Sequence, residues 1–163
     1  MNNQDLNKLN KQRGNLTLPE AKFFNQDGLI SIVKIRIKPS HSDSYRHTNS
    51  SCYVSYFEVG RRALQILWNI CEDNLLEKGI LTITCSWTLD FKKETKPNDL
   101  IKIVSYMQPY ERGVCFKMEH KMFLEKNLVA KAQSKHLFQY KEGRILRPNS
   151  SEVVYFFDRL KNI

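Results

Sequence analysis

Residues 43–61 read DSYRHTNSSCYVSYFEVGR. Asp43, His47 and Asn49 stand within one short stretch, and an apolar helical pattern begins directly after it. A carboxylate, an imidazole and a carboxamide therefore meet at the mouth of a helix. Backbone N–H groups at a helix start lack intrahelical partners and attract negative charge. The stretch thus offers a candidate base beside a candidate oxyanion site.

The helix is expected over residues 51–71. Tyr53, Phe57, Gly60, Leu64, Leu67 and Cys71 share one face, and Val54, Tyr56, Ile66, Trp68 and Ile70 carry apolar surface well around the cylinder. A helix apolar on most sides is a buried one. Gly60 lets a sheet backbone approach it closely. Before the helix, Val33, Ile35 and Ile37 alternate with Lys34, Arg36 and Lys38, giving a half-buried strand over 29–38 that Pro39 ends. After Gly79, Leu81, Ile83, Cys85, Trp87, Leu89 and Phe91 alternate with mainly polar residues. A turn at Lys96-Pro97-Asn98-Asp99 leads to a strand over 100–108. Arg112-Gly113 turns into a strand from Val114, and Asn127 separates that from a last strand over 128–140. Strand, long helix and four antiparallel strands make an α+β domain, a helix packed on one sheet.

The opening stretch resembles the signature of the hotdog-fold thioesterases, which include 4-hydroxybenzoyl-CoA thioesterase and the acyl-carrier-protein thioesterases. That signature reads Asp-x-x-Gly-His-Val-Asn-Asn-x-x-Tyr, then an aromatic-acidic stretch ending in Arg. Asp43, His47, Asn49, Tyr53, Tyr56-Phe57-Glu58 and Arg61 fall on it. Arg46 stands at the glycine, Thr48 at the valine and Ser50 at the second asparagine. The strand order extends the resemblance over roughly residues 29 to 148. It implies a hotdog fold, an antiparallel sheet wrapped around a long central helix. It also implies hydrolysis of an acyl-CoA or acyl-carrier-protein thioester to a free acid and a thiol. Coenzyme A or phosphopantetheine would enter as part of the substrate, with no cofactor and no metal. Hotdog domains pair edge to edge, so a homodimer or homotetramer is implied as well.

Thioester hydrolysis needs an activated water or a nucleophile, and a donor for the oxyanion. Asp43 is the candidate base or nucleophile. The resemblance assigns the oxyanion donor to the backbone amide of Ser50, where the side chain is immaterial. His47 can orient Asp43, share its proton or bind substrate. Asn49 can hold water or cap the helix. Arg46 occupies a place suited to φ > 0, which arginine dislikes, and its guanidinium can pair with Asp43 or a phosphate. Tyr53 packs in the core or lines the acyl channel. Lys92, Lys93, Lys96 and Arg112 flank strand ends, where Lys92, Lys93 and Arg112 are candidates for binding a substrate phosphate. Glu58 needs a partner in a buried helix, and Arg61 or Arg62 is the natural one. His136, in register with Ala130 and Ala132, is read as a core histidine.

With 163 residues, 41% of them hydrophobic, the chain suits one domain with a real core. Residues 1–27, rich in Asn, Gln, Lys and Asp, read as a flexible arm, and 28–163 as a single domain closed by a C-terminal helix from Asn149. No apolar run reaches a membrane span, about 18 residues. The N-terminus has no apolar signal core, and Cys52, Cys71, Cys85 and Cys115 form no CxxC pair. A cytoplasmic protein with reduced thiols is expected. The net charge of +9 suits a phosphate-bearing acyl carrier. Its basic residues are scattered, with no nucleic-acid-binding motif, so no nucleic-acid partner is expected. Two other readings stand beside hydrolysis. One is a non-hydrolytic acyl-thioester binder, or a dehydratase or acyltransferase relative; the other is a binder of nucleic acid or an anionic membrane.

Overall fold

The computed structural model describes residues 29–67, 72–107, 115–147, 150, 151 and 154. Strand β1 (Leu29–Arg36) leads through a 3-10 turn (Pro39–His41) to helix α1 (Cys52–Leu67) and a short helix α2 (Glu72–Glu77). Strands β2 (Ile80–Phe91), β3 (Leu100–Met107), β4 (Cys115–Leu124) and β5 (Asn127–Tyr140) follow. All strand pairs are antiparallel, in one five-stranded sheet of order β1-β3-β4-β5-β2. One long helix laid on this sheet is the hotdog architecture that the sequence anticipates. The expected arm, residues 68–71 of the expected helix and the turn at Arg112-Gly113 lie outside the described residues. So does the C-terminal helix, apart from Ser150, Ser151 and Val154. Helix α2 is an addition to the expected order; its Leu75 is buried with Leu64 of α1, Ile80 and Phe138.

Helix α1 packs on β1 and β3. Tyr53, Tyr56, Phe57, Val59 and Ala63 bury against Val33, Ile35, Ile101, Ile103 and Met122. The contact is closest at Gly60. A Cβ there would collide with Ser105 Oγ and Ile103 Cγ2, so any side chain would require these two side chains or the helix to shift. The Gly60 carbonyl also accepts a hydrogen bond from Ser31 Oγ at 3.1 Å. Glu58 finds Arg61, as expected, at 2.7 Å. Arg61 also reaches Glu72 at 3.0 Å and donates to Gln65 Oε1 at 2.6 Å. Burial works against the Arg61 charge, but the Glu58 and Glu72 carboxylates outweigh it and raise the guanidinium pKa.

The alternation read along 81–91 as one face is split by a bulge between Thr84 and Ser86. Before the bulge, Leu81 and Ile83 pair with Gln139 and Leu137; after it, Trp87, Leu89 and Phe91 pair with Ser134, Ala132 and Ala130. Opposed residues share a face. The first two side chains therefore stand on the outer face and the last three on the helix face. One inserted residue flips the pattern, and the apolar sequence alone does not reveal it.

His136 is buried, as expected, and it has company. Ser134 Oγ lies 2.6 Å from His136 Nε2 and 3.2 Å from His120 Nε2. Thr84 Oγ1 meets His136 Nδ1 at 3.2 Å, and Ser105 Oγ meets His120 Nδ1 at 2.8 Å. Ser134 has one hydroxyl proton for two imidazoles. It donates to one ring and accepts from the other, so two neutral rings hold opposite tautomers. Burial pushes both pKa values down to about 3, helped for His120 by His136 and for both by the Arg61 charge. In the unfolded chain these rings titrate near 6.5. Between the two values the unfolded state binds more protons, so stability is full above pH 6.5 and falls as pH drops toward 3. Each pH unit in that window is expected to cost up to about 1.4 kcal/mol per histidine. Denaturant titrations from pH 7.5 to 4 will show this slope, and His120→Asn with His136→Asn will flatten it.

Candidate active site

The motif loop is a tight hairpin. Ser42 bridges Thr48 in antiparallel sense, the Asp43 amide donates to the His47 carbonyl at 2.8 Å, and the Arg46 amide donates to the Asp43 carbonyl at 3.1 Å. The Asp43 side chain organises the turn from within. Its Oδ1 accepts the Tyr45 amide at 2.9 Å and the His47 amide at 3.0 Å. Such Asx turns are a common use of aspartate. Oδ2 carries no hydrogen bond among the described residues. One oxygen thus holds the loop and the other is unengaged among the described residues.

Arg46 sits at φ 62°, the left-handed conformation that glycine adopts freely. The loop therefore keeps the path that a glycine would give it, at a cost in strain. The guanidinium is exposed, and among the described residues no ion pair joins it to Asp43.

Asn49 opens the helix. Its Oδ1 accepts the Ser51 amide at 2.9 Å and the Ser51 hydroxyl at 2.7 Å, and its carbonyl accepts the Cys52 amide at 2.9 Å. The Tyr53 amide donates to the Ser50 carbonyl at 3.3 Å. In this run of amides only that of Ser50 has no acceptor among the described residues. An unengaged N–H at a helix start is a ready anion donor.

A second loop closes the site. Leaving β2, the amides of Lys92 and Lys93 both donate to the Val129 carbonyl, at 2.9 and 3.1 Å, and the chain turns toward the hairpin. The Thr48 amide and hydroxyl donate to the Thr95 carbonyl at 2.8 and 3.0 Å. Thr95 Oγ1 donates to Thr48 Oγ1 at 2.8 Å and lies 2.9 Å from the Tyr53 hydroxyl. All three residues are buried. Thr48, the polar departure from an apolar motif position, is thereby explained: its hydroxyl locks the two loops together. Tyr53 also meets Phe91 edge to face, ring centroids 5.0 Å apart.

These parts line one open cleft of about 430 Å³, formed by Asp43, His47, Thr48, Asn49, Ser50, Tyr53 and Phe91 with Lys92, Lys93 and Glu94. Asp43, His47, Asn49, Ser50, Tyr53, Lys92 and Lys93 are therefore brought together. Arg46 is on the same loop outside the cleft lining, and Arg112 lies outside the described residues. The His47 imidazole reaches Glu94 at 3.1 Å, whereas its backbone holds Asp43. Lys92 pairs with Asp90 at 2.8 Å, and Lys93 donates to Asn127 Oδ1 at 3.4 Å. Glu94 and Thr95 carry no mark in the sequence near the motif; the one trace is Thr48, a hydroxyl at an interior position that needs a partner.

No family model matches the sequence, and no curated protein matches it. Solved structures do. The chain is similar to DHNA-CoA thioesterase from Staphylococcus aureus, at 15% identity over 82% of this chain and 91% of that one, TM-score 0.72. It is similar to a 1,4-dihydroxy-2-naphthoyl-CoA thioesterase from Synechocystis, at 11% identity over 81% and 98%, TM-score 0.69. It is also similar to a probable thioesterase from Escherichia coli, at 18% identity over 79% and 97%, TM-score 0.67. At such identities the likeness establishes a shared fold.

Relief of the left-handed arginine is measurable. Arg46→Gly is expected to raise the free energy of unfolding by about 1 kcal/mol, read as a higher urea midpoint at unchanged m. A lowered midpoint would mean that the arginine side chain stabilises the loop by more than the strain it introduces.

Proposed function

We propose that the protein is an acyl thioesterase acting on an acyl-CoA or acyl-carrier-protein thioester. One observation carries the reading: a carboxylate with one oxygen unengaged and a helix-start amide without an acceptor, both among the described residues, line the same cleft. The names of the solved structures that share the fold point the same way.

In this scheme the thioester carbonyl accepts the Ser50 N–H. Asp43 takes a proton from water as the water oxygen bonds to the carbonyl carbon. The negative charge that develops on the carbonyl oxygen is held by the Ser50 amide and by the positive end of α1. Collapse of the intermediate breaks the C–S bond, and the thiolate leaves with the proton that Asp43 had taken. One water enters; a carboxylic acid and a thiol depart. The scheme uses no metal or redox cofactor. Direct attack by Asp43, through an anhydride that water then opens, uses the same two groups. Lys92 and Lys93 at the cleft fit the phosphates of coenzyme A or of a carrier-bound phosphopantetheine.

Asp43→Asn is the informative variant, because an amide oxygen still accepts the two backbone N–H groups that shape the hairpin. Its kcat is expected to fall by at least about a hundredfold with an unchanged thermal midpoint. Thiol release from a panel of acyl-CoA and acyl-carrier substrates measures it. Tight acyl-CoA binding by the wild type with no thiol release would instead support the acyl-binding reading.

A dimer joined along β2 belongs to the same reading. That strand is a sheet edge, and its Phe91 is 48% exposed with Trp87 and Leu89 only partly covered. Edges of this kind call for pairing. Light scattering is expected to give at least twice the chain mass of 19.2 kDa, and Leu89→Lys is expected to lower it to one chain. A monomeric wild type would contradict this.

A further inference from the structure

The cleft holds one interaction that the hydrolytic scheme leaves unused. Glu94 Oε2 lies 3.1 Å from His47 Nε2, and Glu94 Oε1 lies 3.4 Å from Lys96 Nζ. The three side chains form a line, Lys96–Glu94–His47, from the β2 exit loop to the motif hairpin. We propose that Glu94 is a positioning residue that fixes the ring orientation and tautomer of His47 within the cleft. The inference rests on the thioesterase reading for its kinetic consequence.

Three observations carry it. The His47 ring is pointed by this contact and not by Asp43, since Asp43 Oδ1 takes the His47 backbone amide. The two loops that carry the partners are held in register by the buried Thr48–Thr95 bonds, one residue along from each partner. Glu94 therefore meets His47 from a fixed frame. Both side chains also line the cleft beside Asp43 and Ser50.

The physical effect is direction more than stability. The side chains are 39% and 54% exposed, and half-exposed pairs add little to folding. A carboxylate at Nε2 selects the tautomer with its proton on Nε2. The lone pair is then on Nδ1, which becomes the ring's acceptor. Lys96 on the other oxygen restrains the Glu94 carboxylate and leaves Oε2 for the histidine. In the cleft, an imidazole fixed in this way can accept a hydrogen bond at Nδ1 from the attacking water or from the thiol-bearing arm of the substrate. A freely turning ring would offer that acceptor only part of the time.

The test pairs a spectroscopic readout with a kinetic cycle on the full chain. Long-range proton–nitrogen NMR at pH 8 is expected to show His47 as the Nε2–H tautomer in the wild type and as a mixture in Glu94→Ala. With an acyl-CoA substrate, Glu94→Ala is expected to lower kcat roughly threefold to fivefold at unchanged KM. Glu94→Gln, which keeps an acceptor oxygen, is expected to recover most of that loss. In a His47→Gln background, Glu94→Ala is expected to cost nothing further. An unchanged tautomer in Glu94→Ala, or an equal loss in both backgrounds, would overturn the assignment. If the wild type releases no thiol, the thioesterase reading fails and the role in turnover falls with it. The ring signals then decide separately whether Glu94 sets the tautomer.

Discussion

The approach of α1 to the sheet at Gly60 is the constraint on which the rest depends. Ser105 Oγ and Ile103 Cγ2 occupy the space that any side chain at position 60 would need. A side chain at position 60 would have to displace them, and Ser31 ties the helix backbone to β1 at the same level. Seating the helix in this way buries Tyr53, Phe57 and Leu64 along its length. It also fixes where the helix begins. The Ser50 amide is useful only if its position is rigid, because preorganised donors stabilise developing charge without reorganising.

The cleft then follows from two loops meeting over that helix start. Asp43 builds the hairpin by accepting two of its amides. Thr48, Thr95 and Tyr53 bond the hairpin to the exit of β2 in a buried, fully paired cluster. Buried hydroxyls are costly when unpaired and specific when paired. The arrangement thus separates tasks: Gly60 sets depth, Thr48 sets the loop-to-loop distance, and Asp43 sets the turn with one oxygen while the other is unengaged among the described residues.

Much of this was legible in the sequence. Helical spacing from Tyr53 to Leu64 marks a buried helix, and alternation at Val33, Ile35 and Ile37 marks a half-buried strand. Glycine at position 60 marks a close approach. The motif spacing brings Asp43, Asn49 and Ser50 to one end of the helix. The rest was hidden for physical reasons. The bulge between Thr84 and Ser86 turns an apparently single apolar face into two, because alternation counts residues and cannot register an unpaired one. Glu94 and Thr95 are distant in sequence from the residues they bind, and only a folded chain connects them. Alternation puts Ser134 and His136 on one face of β5, but no spacing in the sequence announces that His120 of β4 joins them in a shared hydrogen-bonded chain. Arg46 is the instructive case. A glycine position filled by arginine leaves either a rerouted loop or a tolerated strain; the backbone holds φ 62°, and Asp43 and the Thr48 contacts determine the turn around it.

In the proposed scheme Ser50 and Asp43 face the same thioester carbon. A crystal structure with an acyl-CoA analogue, its sulfur replaced by methylene so that the carbonyl survives, tests this directly. The carbonyl oxygen is expected at about 3 Å from Ser50 N, with its carbon beside Asp43 Oδ2. A carbonyl bound elsewhere, with the Ser50 amide and Asp43 untouched, would contradict it.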